Sequence, residues 1–171
     1  MLVEMAIDSV RVSLMSQHRI VVLKDIATSR FLPIWIGPFE ADAITIEMQG
    51  VEVTRPLTHD LLKSMIEKLG AHVERVTITD LRNDTFFAEI GLQADGRRMD
   101  VDSRPSDAIA LAVRTRVPIF VSSDVLEQAG ITPEPNLLAD DEPRPTGDAI
   151  DGDAPEAFRD FLEGLDLTGL Q

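Results

Sequence analysis

Apolar and polar positions along this chain fall into two periods. Val10, Val12 and Leu14 alternate with Arg11 and Ser13, the two-residue period of a half-buried strand. Ile20-Val21-Val22-Leu23 is a continuous apolar run, and Phe31-Leu32-Pro33-Ile34-Trp35-Ile36 is a third strand that Pro33 assigns to an edge or a bulge. Ser16-Gln17-His18 and Asp25 to Ser29 are the intervening turn and loop. Gly37-Pro38 stops the third strand, and a helix is predicted from Phe39 to Gln49, ended by Gly50. A second helix runs from an N-cap at Thr58 to Leu69, with Gly70 following. Its Leu61, Leu62, Met65, Ile66 and Leu69 form one apolar stripe, predicted to face a core.

The pattern then starts again. Arg75 to Thr79 alternates, Arg82-Asn83-Asp84 is a turn, Thr85 to Leu92 is a strand, Asp95-Gly96 signals a hairpin and Arg97 to Asp102 returns. Ser103 to Val113 reads as a buried helix with Ser103 as N-cap and Pro105 in its first turn. Val117 to Val121 is a short strand, and Ser123 to Ala129 a last helix before Gly130. Arg11-Val12-Ser13-Leu14 aligns with Arg75-Val76-Thr77-Ile78 at an offset of 64, Asp42-Ala43-Ile44 with Asp107-Ala108-Ile109 at 65, and Asp60-Leu61-Leu62 with Asp124-Val125-Leu126 at 64. The implied fold is α+β: mixed or antiparallel sheets with packed helices, built by internal duplication of a β-β-β-α-α unit over residues 1–131.

Residues 132–171 differ in character. Five prolines and many acidic residues read as a disordered linker. Phe158, Phe161, Leu162 and Leu165 recur at helical spacing and predict a short amphipathic helix over about residues 156–166. The charge of −14 is concentrated there: residues 1–131 carry 14 basic and 19 acidic side chains, residues 132–171 carry 2 and 11. That balance argues against a simple basic nucleic-acid binder but leaves room for a local positive groove on the body. The absence of cysteine excludes disulfides and thiolate metal sites. The start of the sequence lacks a signal-peptide pattern and no apolar run spans a bilayer, so a cytoplasmic protein without a membrane partner is the expectation.

No Walker loop, Gly-x-Gly-x-x-Gly, His-Glu-x-x-His or Gly-x-Ser-x-Gly occurs. The remaining candidates are carboxylates with scattered His and Arg. Glu40, Asp42 and Glu47 belong to the first buried helix; Asp100, Asp102 and Asp107 surround the start of the second. Oxygen ligands of this kind suit Mg²⁺ or Mn²⁺, and Glu40, Asp42, Asp102 and Asp107 are the candidate metal ligands. Metal-assisted phosphodiester cleavage needs such ligands, or a His base, plus a cation on the phosphate. His59, Asp60, Arg104 and Asp107 are therefore the candidate catalytic residues, and Arg104 and Ser106 the candidate substrate contacts. If the halves pack about a pseudo-twofold axis, three helix starts meet at one groove. Against this stands a plain alternative for each residue: helix-capping carboxylates, surface histidines at positions 18 and 72, and an Arg104 that only bridges Asp107 or Asp102 in the interior.

Leu32-Pro33-Ile34-Trp35-Ile36-Gly37 with Glu40-Ala41, Arg55-Pro56-Leu57-Thr58-His59-Asp60-Leu61, and Ser103-Arg104-Pro105-Ser106-Asp107-Ala108 with Val117-Pro118-Ile119 resemble the bifunctional nuclease (BFN) domain family in its own order, over about residues 3–131. The positions matching its motifs are Glu40, Thr58, His59, Asp60, Arg104, Ser106 and Asp107. The resemblance implies an α+β domain, a tight oligomer (a dimer), and DNase and RNase activity with little sequence preference. No organic cofactor is implied. Plant members of the family can carry a partner-interaction motif after this domain, where this chain has its acidic tail. The rival reading is a non-catalytic oligomeric protein that holds a small anion or a protein partner at the helix mouths.

Overall fold

The computed structural model describes residues 1–12 and 18–133. The turn read at Ser16-Gln17 and the tail helix read near 156–166 lie outside the described residues. Seven strands and four helices follow in the order β1 (Leu2–Val12), β2 (Arg19–Asp25), β3 (Phe31–Ile36), α1 (Pro38–Met48), α2 (Thr58–Lys68), β4 (Ala71–Arg82), β5 (Thr85–Ala94), β6 (Arg97–Ser103), α3 (Pro105–Thr115), β7 (Ile119–Ser122) and α4 (Ser123–Ala129).

One mixed sheet has the order β3-β2-β1-β7-β4-β5-β6. All pairings are antiparallel except β4 with β7. The two three-strand meanders are thus mirrored about β7, with β1 and β4 running in opposite directions. That is the order a duplicated unit gives about a pseudo-twofold axis. The five-element unit is incomplete, however: β7 lies between α3 and α4, and its counterpart, the connector 51–57, forms no strand. The meander of the second half is closed by two tight turns, Asn83-Asp84 and Asp95-Gly96. Both residues of each turn have positive φ, as a two-residue hairpin with the right strand twist requires.

β3 and β6 are the sheet edges. Pro33 therefore costs no interior ladder bond. β6 is exposed at six of its seven positions, and the charges of Arg97, Arg98, Asp100 and Asp102 guard that edge against further pairing.

α3 is the centre of the molecule. Ala108, Ile109, Ala110, Leu111 and Ala112 are all buried, and the alanines let neighbouring elements approach closely. α3 packs against α1 and α2 and against strands from both flanks of the sheet, β3 on one side and β4 and β5 on the other, so the sheet curls around it. Val21, Leu23, Leu32, Ile34, Val76, Ile78 and Val121 supply the facing surface.

Two helix starts differ from the sequence reading. The N-cap of α3 is Arg104, not Ser103, whose hydroxyl instead donates to the Ala88 carbonyl across the β5–β6 pair. The N-cap of α2 is Leu57, not Thr58: the Leu57 N–H donates to the Asp60 carboxylate at 2.8 Å, so the cap is satisfied from within the first turn. The α2 stripe also faces the other way. Leu61, Leu62, Met65 and Leu69 are 55%, 37%, 54% and 79% exposed, and Ile66 alone of the five packs on the core. Among the described residues no helix is long and apolar enough to cross a membrane.

Candidate nuclease site

α1 and α3 begin alike. Each has an extended N-cap, Gly37 or Arg104, then a proline, then an acidic residue in the first turn, Glu40 or Asp107. Both helices have 11 residues, and their starts are 67 positions apart. Asp107 is therefore the structural counterpart of Glu40. The sequence alignment at 65 had matched it to Asp42. The proline has no N–H to leave unsatisfied there, and the carboxylate faces the positive end of the helix.

These two starts and that of α2 line one open pocket of about 550 Å³. Its walls carry Glu40 and Asp42 from α1, Thr58 and His59 from α2, and Arg104 and Asp107 from the start of α3. Phe39, Ala43, Ile46, Pro56 and Leu57 supply the apolar part. A chain of charge-assisted bonds crosses it. Arg104 Nη2 donates to Glu40 Oε1 at 2.7 Å, and Arg104 Nε donates to Asp107 Oδ2 at 2.6 Å. The other Asp107 oxygen lies 3.0 Å from His59 Nε2.

Charge and burial set the protonation of this chain. Burial pushes the Asp107 carboxyl up, but the bonds from Arg104 and His59 outweigh it and hold its pKa below the ordinary value. The same bonds, first to Asp107 and then to Glu40, raise the Arg104 pKa further. An ionised Asp107 only accepts, so Nε2 of His59 carries the proton and Nδ1 is an acceptor in the neutral ring. His59 is 6% exposed, and its Nδ1 is buried without a hydrogen-bond partner. Arg104, by contrast, is 65% exposed, with two of its five N–H groups spent.

Gly37 shapes the same mouth. A Cβ there would collide with the Glu40 carboxylate, which folds back over the helix start toward Arg104. Sequence reading placed Gly37 at the strand end, at the opening of the helix and in a family motif, but not among the site residues.

The remaining candidates lie elsewhere. Asp60 faces away from the pocket wall into a second ion pair: Arg114 Nε donates to Asp60 Oδ1 at 2.6 Å. The other guanidinium nitrogens of Arg114 donate to the carbonyls of Ala110 and Ala43. Burial raises the Asp60 pKa, and the Leu57 N–H and Arg114 more than reverse it. Asp102 sits exposed on edge strand β6 opposite Glu89, and Ser106 is buried; neither lines the pocket. Arg104 bonds to Glu40 and Asp107, not to Asp102. Among the described residues no three His, Asp or Glu side chains converge as a ready metal cage.

Comparison with known proteins agrees with this arrangement of motifs. The family model for the bifunctional nuclease domain matches residues 21–134. An uncharacterized protein of Mycobacterium tuberculosis is 39% identical over 162 residues, covering 95% of this chain and 94% of the relative. Bifunctional nuclease 1 of Arabidopsis thaliana is 34% identical over 148 residues, 77% of this chain and 46% of the relative. Bifunctional nuclease 2 of the same plant is 36% identical over 109 residues, 61% of this chain and 33% of the relative. The chain thus spans less than half the length of these plant relatives and nearly all of the mycobacterial one. By the family match and by these identities, the chain belongs to the bifunctional nuclease domain family.

Proposed function

We propose that this chain is a nuclease that cleaves phosphodiester bonds of DNA and RNA, and that the pocket at the three helix starts is its reaction centre. One observation carries the reading beyond family membership. A mostly exposed guanidinium stands at the mouth of a pocket between two carboxylates, and a buried histidine braces one of them. Arg104 binds the phosphate through its unspent N–H groups, a charge-assisted contact that matches phosphate geometry. Asp107, ionised at rest, takes a proton from water as the water oxygen bonds to phosphorus, and returns it to the leaving oxygen as that P–O bond breaks. His59 holds Asp107 in place and is a positioning residue here. A site that grips the backbone phosphate and not base edges gives little sequence preference.

The donor set suits a divalent ion in one manner. Mg²⁺ is commonly held by one or two carboxylates together with substrate phosphates and water, and does not need an all-protein cage. Glu40 and Asp107, with Asp42 on the same wall, would hold Mg²⁺ or Mn²⁺ in this way, and the ion would polarise the phosphoryl oxygen. The family resemblance also makes a homodimer part of the proposal, to be checked by light scattering at micromolar protein.

The test uses the full chain on single- and double-stranded DNA and RNA, with Mg²⁺, with Mn²⁺ and with chelator. Arg104→Ala should lower cleavage by about 10²–10³-fold, the usual effect of deleting a donor to developing charge. Because Arg104 is exposed, its loss should change stability by no more than ~1 kcal/mol. Asp107→Ala should be inactive. A second reading is favoured by the fact that Glu40, Arg104 and Asp107 are already consumed in salt bridges with one another: a non-catalytic protein that holds an anion there. Phosphate or oligonucleotide binding that Arg104→Ala abolishes, with no turnover under any metal condition, selects that reading.

A further inference from the structure

We infer that the exposed apolar face of α2 is the docking site for this chain's own C-terminal segment, residues 156–166. The inference is independent of the nuclease reading.

The two surfaces fit by pattern. At 100° per residue, Leu61, Leu62, Met65 and Leu69 fall within an arc of about 100° on α2, turned away from the face that buries His59. Three large apolar side chains of an 11-residue helix, continued by its C-cap Leu69, are unusual on an exposed surface and mark a binding face. Phe158, Phe161, Leu162 and Leu165 stand at i, i+3, i+4 and i+7 in the sequence, the spacing that lays one apolar stripe along a helix. So short a stripe is not stable alone and needs a surface to cover it.

The tether permits the contact. The described chain leaves the body beside β3, where Ile131 bridges Phe31. Residues 134–157 separate that point from Phe158. Twenty-four residues span about 27 Å by the Gly/Ser-rich coil estimate, and the prolines and acidic residues of this segment lengthen that reach. A domain of this size is roughly 35 Å across. Root-mean-square reach and span are therefore comparable, which is the condition for a high effective concentration, on the order of millimolar. An intramolecular partner at that concentration outcompetes a second copy at micromolar protein. The tail also travels with the domain. At most nine of the 171 residues lie outside the 162-residue match to the mycobacterial relative, so that match reaches at least Leu162.

The experiment places a photo-crosslinking amino acid at position 161 of the full chain, in a mixture of isotopically light and heavy protein. Docking predicts cross-links to residues 61–69 within one chain, at a yield that does not change with protein concentration. Met65→Asp should reduce that yield about tenfold, and amide exchange in α2 should speed up in Phe161→Asp. Circular dichroism on each variant confirms that the body is folded. Cross-links between light and heavy chains would assign the face to a second copy and overturn the proposal. Cross-links elsewhere, or a yield insensitive to Met65→Asp, would overturn it as well.

Discussion

At the scale of single residues, two arginines exchange the roles that sequence reasoning weighed for one. Arg104 was either an exposed phosphate contact or an interior bridge. It is exposed, and the interior bridge is made by Arg114, whose side chain is 2% exposed. Arg104 was legible because capping chemistry is local: its partner Asp107 is three residues away. Arg114 was not, because its partners Asp60 and Ala43 are 54 and 71 positions distant. Arg114→Met should cost roughly 3–5 kcal/mol, since it leaves the partly buried Asp60 carboxylate without its charge partner. Urea unfolding measures it, and a loss under 1 kcal/mol would show that the pair is dispensable. Asp25 gives a pH signature. Its carboxylate accepts from Thr28, the Ala27 N–H and Arg30, and its pKa falls to about 2, from Thr28 first. A depressed folded pKa means stability that is present above the ordinary 3.8 and lost as pH falls toward 2. Asp25→Asn should therefore be less stable than the parent near neutrality, and thermal unfolding should show the gap closing below pH 4. A gap constant down to pH 2 would mean that the carboxylate charge is not what the loop needs.

At the scale of elements, periodicity identified the helices and the burial of α3, but not which side of α2 is buried. The stripe on α2 reads as a core face by every amphipathic rule, yet the helix buries its other side, around His59 and Ile66. Period reports that apolar positions share a side; what covers that side is a tertiary fact. The starts of α1 and α3 show the complementary case. Their proline and acidic residue were visible, but the true equivalence at 67 positions was hidden by a chance match at 65 in which Asp42 took the place of Glu40. Gly37 was missed for a related reason, since its use depends on where Glu40 folds. Its φ of −70° is open to alanine, so Gly37→Ala carries no backbone strain. The added Cβ instead pushes the Glu40 carboxylate off its place beside Arg104. The expected result is a thermal midpoint within a few degrees of the parent with reduced cleavage or anion binding. Full activity would show that Glu40 is not needed at the mouth.

At the scale of the whole molecule, the sheet order was only partly legible. Two meanders and two buried helices were foreseen, while the insertion of β7 at the centre was not, because a four-residue strand has too few positions for its pairing to be read. Charge distribution has a sharper consequence. A protein with net charge −14 cannot rely on a broad basic surface to hold nucleic acid. Among the described residues that line the pocket, Arg104 is the one Lys or Arg. The number of phosphates neutralised is then near one, and log Kobs should fall with log salt at a slope of about −0.7 to −0.9, against about −10 for a repressor with an extended basic face. Between 50 and 200 mM salt the apparent affinity should drop by roughly threefold. Measuring KM for a single-stranded oligonucleotide over that range at fixed metal concentration decides the matter. A slope of −5 or steeper would require a basic surface that a single guanidinium does not provide, and would move substrate binding away from this pocket or onto an assembly of several chains.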